Sequence, residues 1–408
     1  MTAGAVTPSE TAQIGIEGLR STRAIVDLDA VAANVRAIRS SLPASTRIMA
    51  VVKANAYGHG APWVAASALA AGASLLGVAT VGEGIRLRKA GIADQIVILG
   101  SIAQGEVPEA LRWELDITVA ERRLLETVQQ RVREQILDSA PRIHLKIDTG
   151  LRRYGCPPHA ASALAARLRS DPLLQFAGVC THFASADEPL ERFTDDQLAS
   201  FEAAIAELAR EGEAVPDRHV ANSAAVLRGI GCRFEIVRIG IALYGVPPSD
   251  DVPLLPGMRP VMGIESRIAR VFDLTPGDCV GYNRTFQADC PMRAGLVPIG
   301  YADGYRRSFA NGGWVGLNGR KARVLGRVSM DQIVIEIPGD ADTVVGDVVQ
   351  IMGAGVHGSG PHVGELAAIA GTNSYEILVG IRGRVPRVFM ESNRTSAVHF
   401  AASDGESD

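Results

Sequence analysis

Long hydrophobic runs are missing from this chain. No apolar stretch is long enough to cross a bilayer, so no membrane span is expected. The first residues lack a basic start followed by an apolar core, and no secretory signal is expected either. Cysteine is sparse: Cys156, Cys180, Cys232, Cys279 and Cys290 are scattered, with no CxxC pair. An odd, unclustered set fits a reducing, cytoplasmic compartment and offers no structural zinc site; no metal is expected. Positive charge is not concentrated. The net charge is −4 with no large basic block, which argues against nucleic acid as the main partner. No internal repeat of solenoid period is present.

What is there is enough for two domains: 408 residues, of which 47% are hydrophobic. Residues 1–20 and 401–408 are expected to be disordered tails. From Arg23 to about Tyr244, strand-like and helix-like runs alternate. The candidate strands are Ala24–Leu28, Ile48–Lys53, Leu75–Ala79, Gln95–Leu99, Asp116–Val119, Ile143–Ile147, Phe176–Phe183, Arg218–Asn222 and Glu235–Ile239. Helical patterns such as Val31–Leu42, Pro62–Ala71, Glu121–Gln135, His159–Arg169 and Asp195–Arg210 lie between them. Such alternation predicts parallel strands with crossover helices, closed into a (β/α)8 barrel over residues 21–246. The candidates exceed the eight that close such a barrel by one. The leading strand, 24–28, can leave without breaking closure, and it is expected to join the second domain. Proline punctuates the chain after Pro247. Beyond it, turn signals at Pro276-Gly277-Asp278, Asn318-Gly319 and Pro338-Gly339-Asp340 predict a β-rich domain over 247–400, with a late helical segment at Val363–Ala370.

In a parallel barrel the site lies at the C-terminal ends of the strands. The second strand ends in Lys53, followed by Tyr57-Gly58-His59-Gly60. The sixth ends in Lys146-Ile147-Asp148-Thr149-Gly150-Leu151-Arg152-Arg153, the seventh in Thr181-His182, the eighth in Asn222-Ser223, the ninth in Arg238-Ile239-Gly240-Ile241. Polar residues thus gather at one rim. A lysine at the mouth of a buried strand loses hydration, which lowers its pKa and frees the amine for Schiff-base chemistry; alternatively it snorkels from the strand end. Ser223 suits a phosphate at a helix start or is an ordinary N-cap. Gly240 permits close backbone approach to the same phosphate or is a strand-end turn. Arg238 offers donors and no acceptor, and can be the partner of an acid such as Glu235. His182 and His219, read by themselves, can be satisfied core histidines. Asp303, Arg306 and Arg307 can equally form a solvated loop.

The run Ala50-Val51-Val52-Lys53-Ala54-Asn55-Ala56-Tyr57-Gly58-His59-Gly60 resembles the pyridoxal-phosphate lysine motif of bacterial alanine racemases. The likeness extends through Val280-Gly281-Tyr282-Asn283-Arg284-Thr285, Gly300–Arg307 and Gly326–Gln332. The resemblance implies pyridoxal 5'-phosphate bound through Lys53. Tyr57, Ser223, Gly240, Ile241 and Tyr375 would hold its phosphate, with Arg153 and His182 near the ring and Arg238 on the ring nitrogen, where many pyridoxal enzymes place a carboxylate. It implies Lys53 and Tyr282 as the two catalytic bases, Arg153, Met330 and Tyr282 as substrate contacts, and an entrance lined by Asp187, Arg306, Arg327 and Tyr375. The lysine matching Lys146 is often carbamylated in this family, becoming an anion beside Arg153. His219 is placed near the ring in a relay. A head-to-tail homodimer follows, with Tyr282 acting in the partner's site, and D-alanine for peptidoglycan as the product. The family usually has Met-Gly-Arg where this chain has Leu151-Arg152-Arg153, which bears on the loop's conformation.

Three other readings fit parts of the pattern. A decarboxylase of basic amino acids uses the same barrel-plus-β plan, but with an acid on the pyridine nitrogen; Arg238 and Ser223 argue against it. A cofactor carrier would need only the bare barrel, and has no use for Tyr282. A racemase of broader specificity for small amino acids differs only in its entrance.

Overall fold

The computed structural model describes residues 20–399, apart from 138, 191, 211–215, 340, 341, 356, 357 and 393. The expected tails over 1–20 and 401–408 lie outside the described residues, except for Arg20. The described chain divides into two compact units: 31–56 with 61–259, and 20–30 with 57–60 and 260–399.

The first unit is a parallel barrel. Its strands are β2 (Arg47–Val51), β3 (Leu75–Val78), β4 (Ile96–Ile98), β5 (Asp116–Val119), β6 (Arg142–Lys146), β7 (Gln175–Cys180), β8 (Asp217–His219) and β9 (Ile236–Ile239); β1 (Arg23–Asp27) belongs to the other unit. They form one eight-stranded sheet in the order β8-β7-β6-β5-β4-β3-β2-β9. Several, such as β2, β3, β4 and β9, are short and almost wholly buried, as strands covered on both faces must be, whereas β8 is the polar run Asp217-Arg218-His219 with only His219 buried. The last edge closes where Arg238 N–H donates to Ala221 O at 2.9 Å. Arg218, on β8, is held by Glu235 through its N–H and Nε, at 2.8 and 2.9 Å. The barrel's content is divided. Met49, Leu75, Val97 and Ile236 form one apolar cluster. Strands β5, β6, β8 and β9 instead bury Asp116, His144, Lys146, His219 and Arg238.

The second unit is mostly β. Its ten-stranded sheet runs Arg270–Leu274, Met292–Val297, Ile333–Ile337, Arg320–Leu325, Trp314–Leu317, Val348–Met352, Met262–Arg267, β1, Arg387–Glu391, Arg394–His399. β1 pairs antiparallel with Met262–Arg267 and parallel with Arg387–Glu391. Its alternating burial buries Ala24 and Val26. Leu274, Val280, Ala288, Ala294 and Leu325 make a core under the sheet's far end. A helix spans Val363–Ala370, closed by Gly371 in the left-handed region at φ +65°. Among the described residues no helix is long and apolar enough to cross a membrane, and no group of His, Cys, Asp and Glu is arranged to hold a metal ion.

Inside the first unit, Asn34 ties the helix Leu28–Ser41 to two later segments. Its fully buried amide donates to Leu243 O and Arg259 O, both at 3.0 Å, and accepts from Arg259 N–H at 2.9 Å. Replacing Asn34 by Leu keeps the branched outline, with a somewhat larger side chain, but strands those backbone groups without partners. Urea unfolding of Asn34→Leu should show a loss of about 1–3 kcal/mol; unchanged stability would mean that water reaches these groups.

Candidate functional site at the barrel rim

After β2, the chain makes an unusual turn. Ala54, Asn55, Ala56 and Tyr57 all lie in the left-handed region, with φ of +50°, +53°, +55° and +51°. Each such non-glycine residue costs roughly 1–2 kcal/mol. Glu83 helps hold the turn: its Oε1 accepts from Ala54 N–H at 2.6 Å. Its Oε2 accepts from Ala79 N–H at 2.7 Å and Thr80 N–H at 3.3 Å, while Thr80 Oγ1 accepts from Glu83 N–H at 3.2 Å. One carboxylate therefore starts the helix Val81–Lys89 as half of a capping box and also pins the residue after Lys53. Sequence reasoning missed Glu83. The Thr80-x-x-Glu83 spacing marks the capping box, but nothing in the sequence says that the second oxygen reaches Ala54.

Lys53 is half-buried. Burial, then the charge of Arg153, lowers its pKa from the ordinary lysine value, and Glu83 opposes the shift. Lys146 is only 8% exposed; burial, Arg238 and Arg153 all disfavour its ammonium form, against Cys180 and Asp148. His182 is held well below the ordinary histidine value by burial and then by Arg238, Lys146, Arg153 and Lys53. The imidazole of His182 thus lies within the field of these four cations. No hydrogen bond or ion pair of the Lys53, Lys146 or Arg153 side chains occurs among the described residues. Arg153 is exposed, so the buried cation that accompanies Lys146 is Arg238. Lys146 and Arg153 are thus not two buried cations, although the charge of Arg153 still disfavours the Lys146 ammonium.

Arg238 is 5% exposed and nearly saturated. Its Nη1 donates to His219 O at 2.6 Å and to His219 Nδ1 at 3.1 Å. Its Nη2 donates to Thr181 O at 2.8 Å, Val220 O at 3.0 Å and His182 Nδ1 at 3.2 Å. Only Nε–H lacks a partner among the described residues. The alternative that Arg238 pairs with Glu235 does not hold, since Glu235 is taken by Arg218. Nor is Ser223 the N-cap: Asn222 is, its side-chain oxygen accepting from Ala225 N–H at 3.0 Å. Ser223 Oγ instead accepts from Gly240 N–H at 2.9 Å and Ala242 N–H at 3.3 Å, beside Ile241. That leaves the hydroxyl's own proton to donate. Asp187 is half-buried, and its backbone oxygen accepts from Ser249 Oγ at 2.7 Å.

The second unit brings Tyr57 and Tyr375 together, ring centroids 6.0 Å apart and tilted by 46°. Burial pushes the Tyr57 phenol up to about 12. Gly58 is obligatory beside it: a Cβ there would lie 2.5 Å from Leu378 O, at a φ of +83°. Arg306 pairs with Glu376 at 2.6 Å, next to Tyr375. Asp303 is fully buried and paired with Arg20 and Arg384, so it is not part of a solvated loop. Tyr282 and Met330 are 68% and 52% exposed, and Arg327 is half-buried. Met330 is set by its backbone, its oxygen accepting from Ala302 N–H at 2.9 Å.

These features define a class: a parallel-barrel protein with a desolvated lysine in an acid-poor, cationic rim, joined to a β-rich unit. Residues 26–248 match the family model for the alanine racemase N-terminal domain, and 261–389 that for the C-terminal domain. An alanine racemase of Symbiobacterium thermophilum is 39% identical over 374 residues, covering 92% of this chain and 98% of the relative. One of Geobacter sulfurreducens is 39% identical over 378 residues, covering 91% and 97%. A crystal structure of alanine racemase from Bacillus anthracis with bound L-Ala-P superposes with a TM-score of 0.87 at 34% identity, covering 94% of this chain and 98% of that one. That from a D-cycloserine-producing Streptomyces lavendulae gives 0.85 at 37%, covering 92% and 98%. The chain belongs to the alanine racemase family.

The loop after β6 shows what the arginine in its Leu-Arg-Arg sequence does. Asp148 Oδ1 accepts from Gly150 N–H at 2.8 Å and from Arg152 N–H at 3.1 Å. Arg152 is exposed and sits at φ +58°, the region that glycine adopts freely. The loop thus keeps a glycine-like conformation at the cost of strain. Arg152→Gly should raise stability by up to about 1 kcal/mol, relief of strain outweighing the added unfolded-state entropy, while Arg152→Val should lower it. Urea midpoints of the two variants decide; a glycine variant less stable than the parent would contradict the strain.

Proposed function

We propose that the protein interconverts L-alanine and D-alanine with pyridoxal 5'-phosphate as cofactor, working as a homodimer and supplying D-alanine for peptidoglycan. The observation that carries this is a half-buried Lys53 together with buried Lys146 and Arg238, whose Nη2 donates to His182 Nδ1 at 3.2 Å in the combined field of these cations. A rim so rich in cations, without bonded carboxylates among the described residues, suits a doubly anionic group. The donors fit that group in detail. Arg238 Nε–H is its one uncommitted donor, matching a ring nitrogen that accepts; arginine supplies no proton to it near neutral pH. Ser223 O–H, with Gly240 and Ile241 alongside and with Tyr57 and Tyr375, would hold the phosphate. Arg153 would meet the ring oxygen and the substrate carboxylate, and Met330 the same carboxylate.

Bound there, the cofactor supplies the electron withdrawal that acidifies the substrate's α-hydrogen. Lys53 Nζ, its ammonium disfavoured by burial and by Arg153, takes or returns that proton on one face. Tyr282 of the partner subunit does so through its hydroxyl on the opposite face; its exposure in its own chain supports that role. Asp187, Arg306, Arg327 and Tyr375 would line an entrance narrow enough to favour a small side chain. Lys146, buried beside Arg238, would carry a carbamate that turns one of two like charges into an anion. Labelled bicarbonate should then yield a carbamate carbon signal that Lys146→Ala abolishes; a signal that persists in that variant would contradict the modification.

Subunit mixing tests the shared site. Lys53→Ala and Tyr282→Phe homodimers should each be nearly inactive, and Lys53→Ala should also lose the cofactor's visible absorbance. A mixed dimer holds one site with both lesions and one with neither, so it should recover activity. Verified mixed dimers without recovery would place Tyr282 within its own chain's site or outside the chemistry.

A further inference from the structure

A buried polar chain crosses the barrel beneath Arg238. Asp116 Oδ2 contacts His144 Nε2 at 3.1 Å; His144 Nδ1 contacts His219 Nε2 at 3.1 Å; His219 Nδ1 contacts Arg238 Nη1 at 3.1 Å. The two imidazoles are 0% exposed and Asp116 3%. Asp116 Oδ2 also accepts from Gln95 Nε2 at 2.6 Å and Arg142 Nε at 3.1 Å.

The chain has one consistent proton order. A guanidinium only donates, so His219 Nδ1 must be bare. Neutral His219 then carries its proton on Nε2 and gives it to His144 Nδ1. His144 in turn is protonated on Nε2 and donates to Asp116, which must be the ionised acceptor. A protonated Asp116 would turn both rings and set an N–H of His219 against an N–H of Arg238. A cationic ring at either position would create the same clash. The backbone is built around this arrangement. The β6–β7 register shifts between Ile143 and His144, a bulge of the kind that re-aims a side chain. Gly178, opposite, leaves the ring its space: a Cβ there would lie 2.3 Å from His144 Nδ1.

We propose that Asp116, through His144 and His219 locked as Nε2–H tautomers, is the remote positioning residue that orients Arg238 and keeps its Nε–H directed at the cofactor's ring nitrogen. Through His182 Nδ1, which also accepts from Arg238, the same order reaches the rim.

This rests on the proposed activity for its kinetic consequence, but the tautomers can be read without substrate. In purified holoenzyme carrying isotope-labelled histidine, nitrogen–proton correlations across the rings should show both His144 and His219 as neutral Nε2–H at neutral pH. Either ring as Nδ1–H or as a cation overturns the proposal. His144→Leu, checked for folding by its unfolding curve, should release the His219 tautomer and lower kcat about tenfold or more with little change in KM. His144→Gln, whose amide can donate to Asp116 and accept from His219, should recover most of that loss. A folded His144→Leu variant with unchanged kcat and an unchanged His219 tautomer also overturns it. A wild type that fails to racemise alanine would refute the activity, and the tautomers alone would then decide the chain.

Discussion

Uncompensated positive charge at the mouth of the barrel is the constraint on which the site depends. Burial makes each cation costly, and proximity makes each worse for its neighbours. The nearby acids relieve this only in part, because each is engaged in hydrogen bonds of its own. Glu83 holds three backbone N–H groups, Asp148 holds its own loop, Glu235 holds Arg218, and Asp116 receives Gln95, Arg142 and His144. The barrel therefore places its carboxylates in structural work and leaves its rim positive. An anionic cofactor of the kind proposed would resolve that conflict, and a lysine kept short of its full proton affinity would suit its chemistry.

Backbone strain accompanies the charge. The left-handed turn after Lys53 and the left-handed Arg152 lie on the loops following β2 and β6, where site residues begin. Such strain persists only where the surroundings over-determine it. Here the determinants are side-chain oxygens: Glu83 for Ala54, Asp148 for Arg152. Single carboxylates thus link helix capping and loop shape to the placement of Lys53 and Arg153.

Much of the fold was legible because parallel strands buried on both faces read as short apolar runs ending in glycine or polar residues. The surplus strand was legible by counting, and β1 lies in the ten-stranded sheet. The helix Val363–Ala370 could be read from its pattern and its closing glycine. Other features had no local signal. The side chain that caps at Asn222 rather than Ser223 depends on where the chain leaves β8. The exposure of Arg153 depends on where the loop after β6 leaves the barrel. The register shift that sets His144 opposite Gly178 depends on the pairing of two neighbouring strands. Glu83 was readable as a capping residue and unreadable as the clamp on the lysine turn. Motifs carried the rim residues; the network that orients them is a product of register and closure, which sequence spacing does not encode.

The central claim is that this rim binds pyridoxal 5'-phosphate to exchange the α-hydrogen of alanine. Incubating the purified protein and cofactor with L-alanine in heavy water tests it most directly. The account predicts D-alanine carrying deuterium at the α-carbon, approaching equal amounts of both enantiomers, with larger amino acids turned over far more slowly. Formation of a decarboxylated amine, or no exchange at the α-carbon of any small amino acid despite bound cofactor, would contradict it.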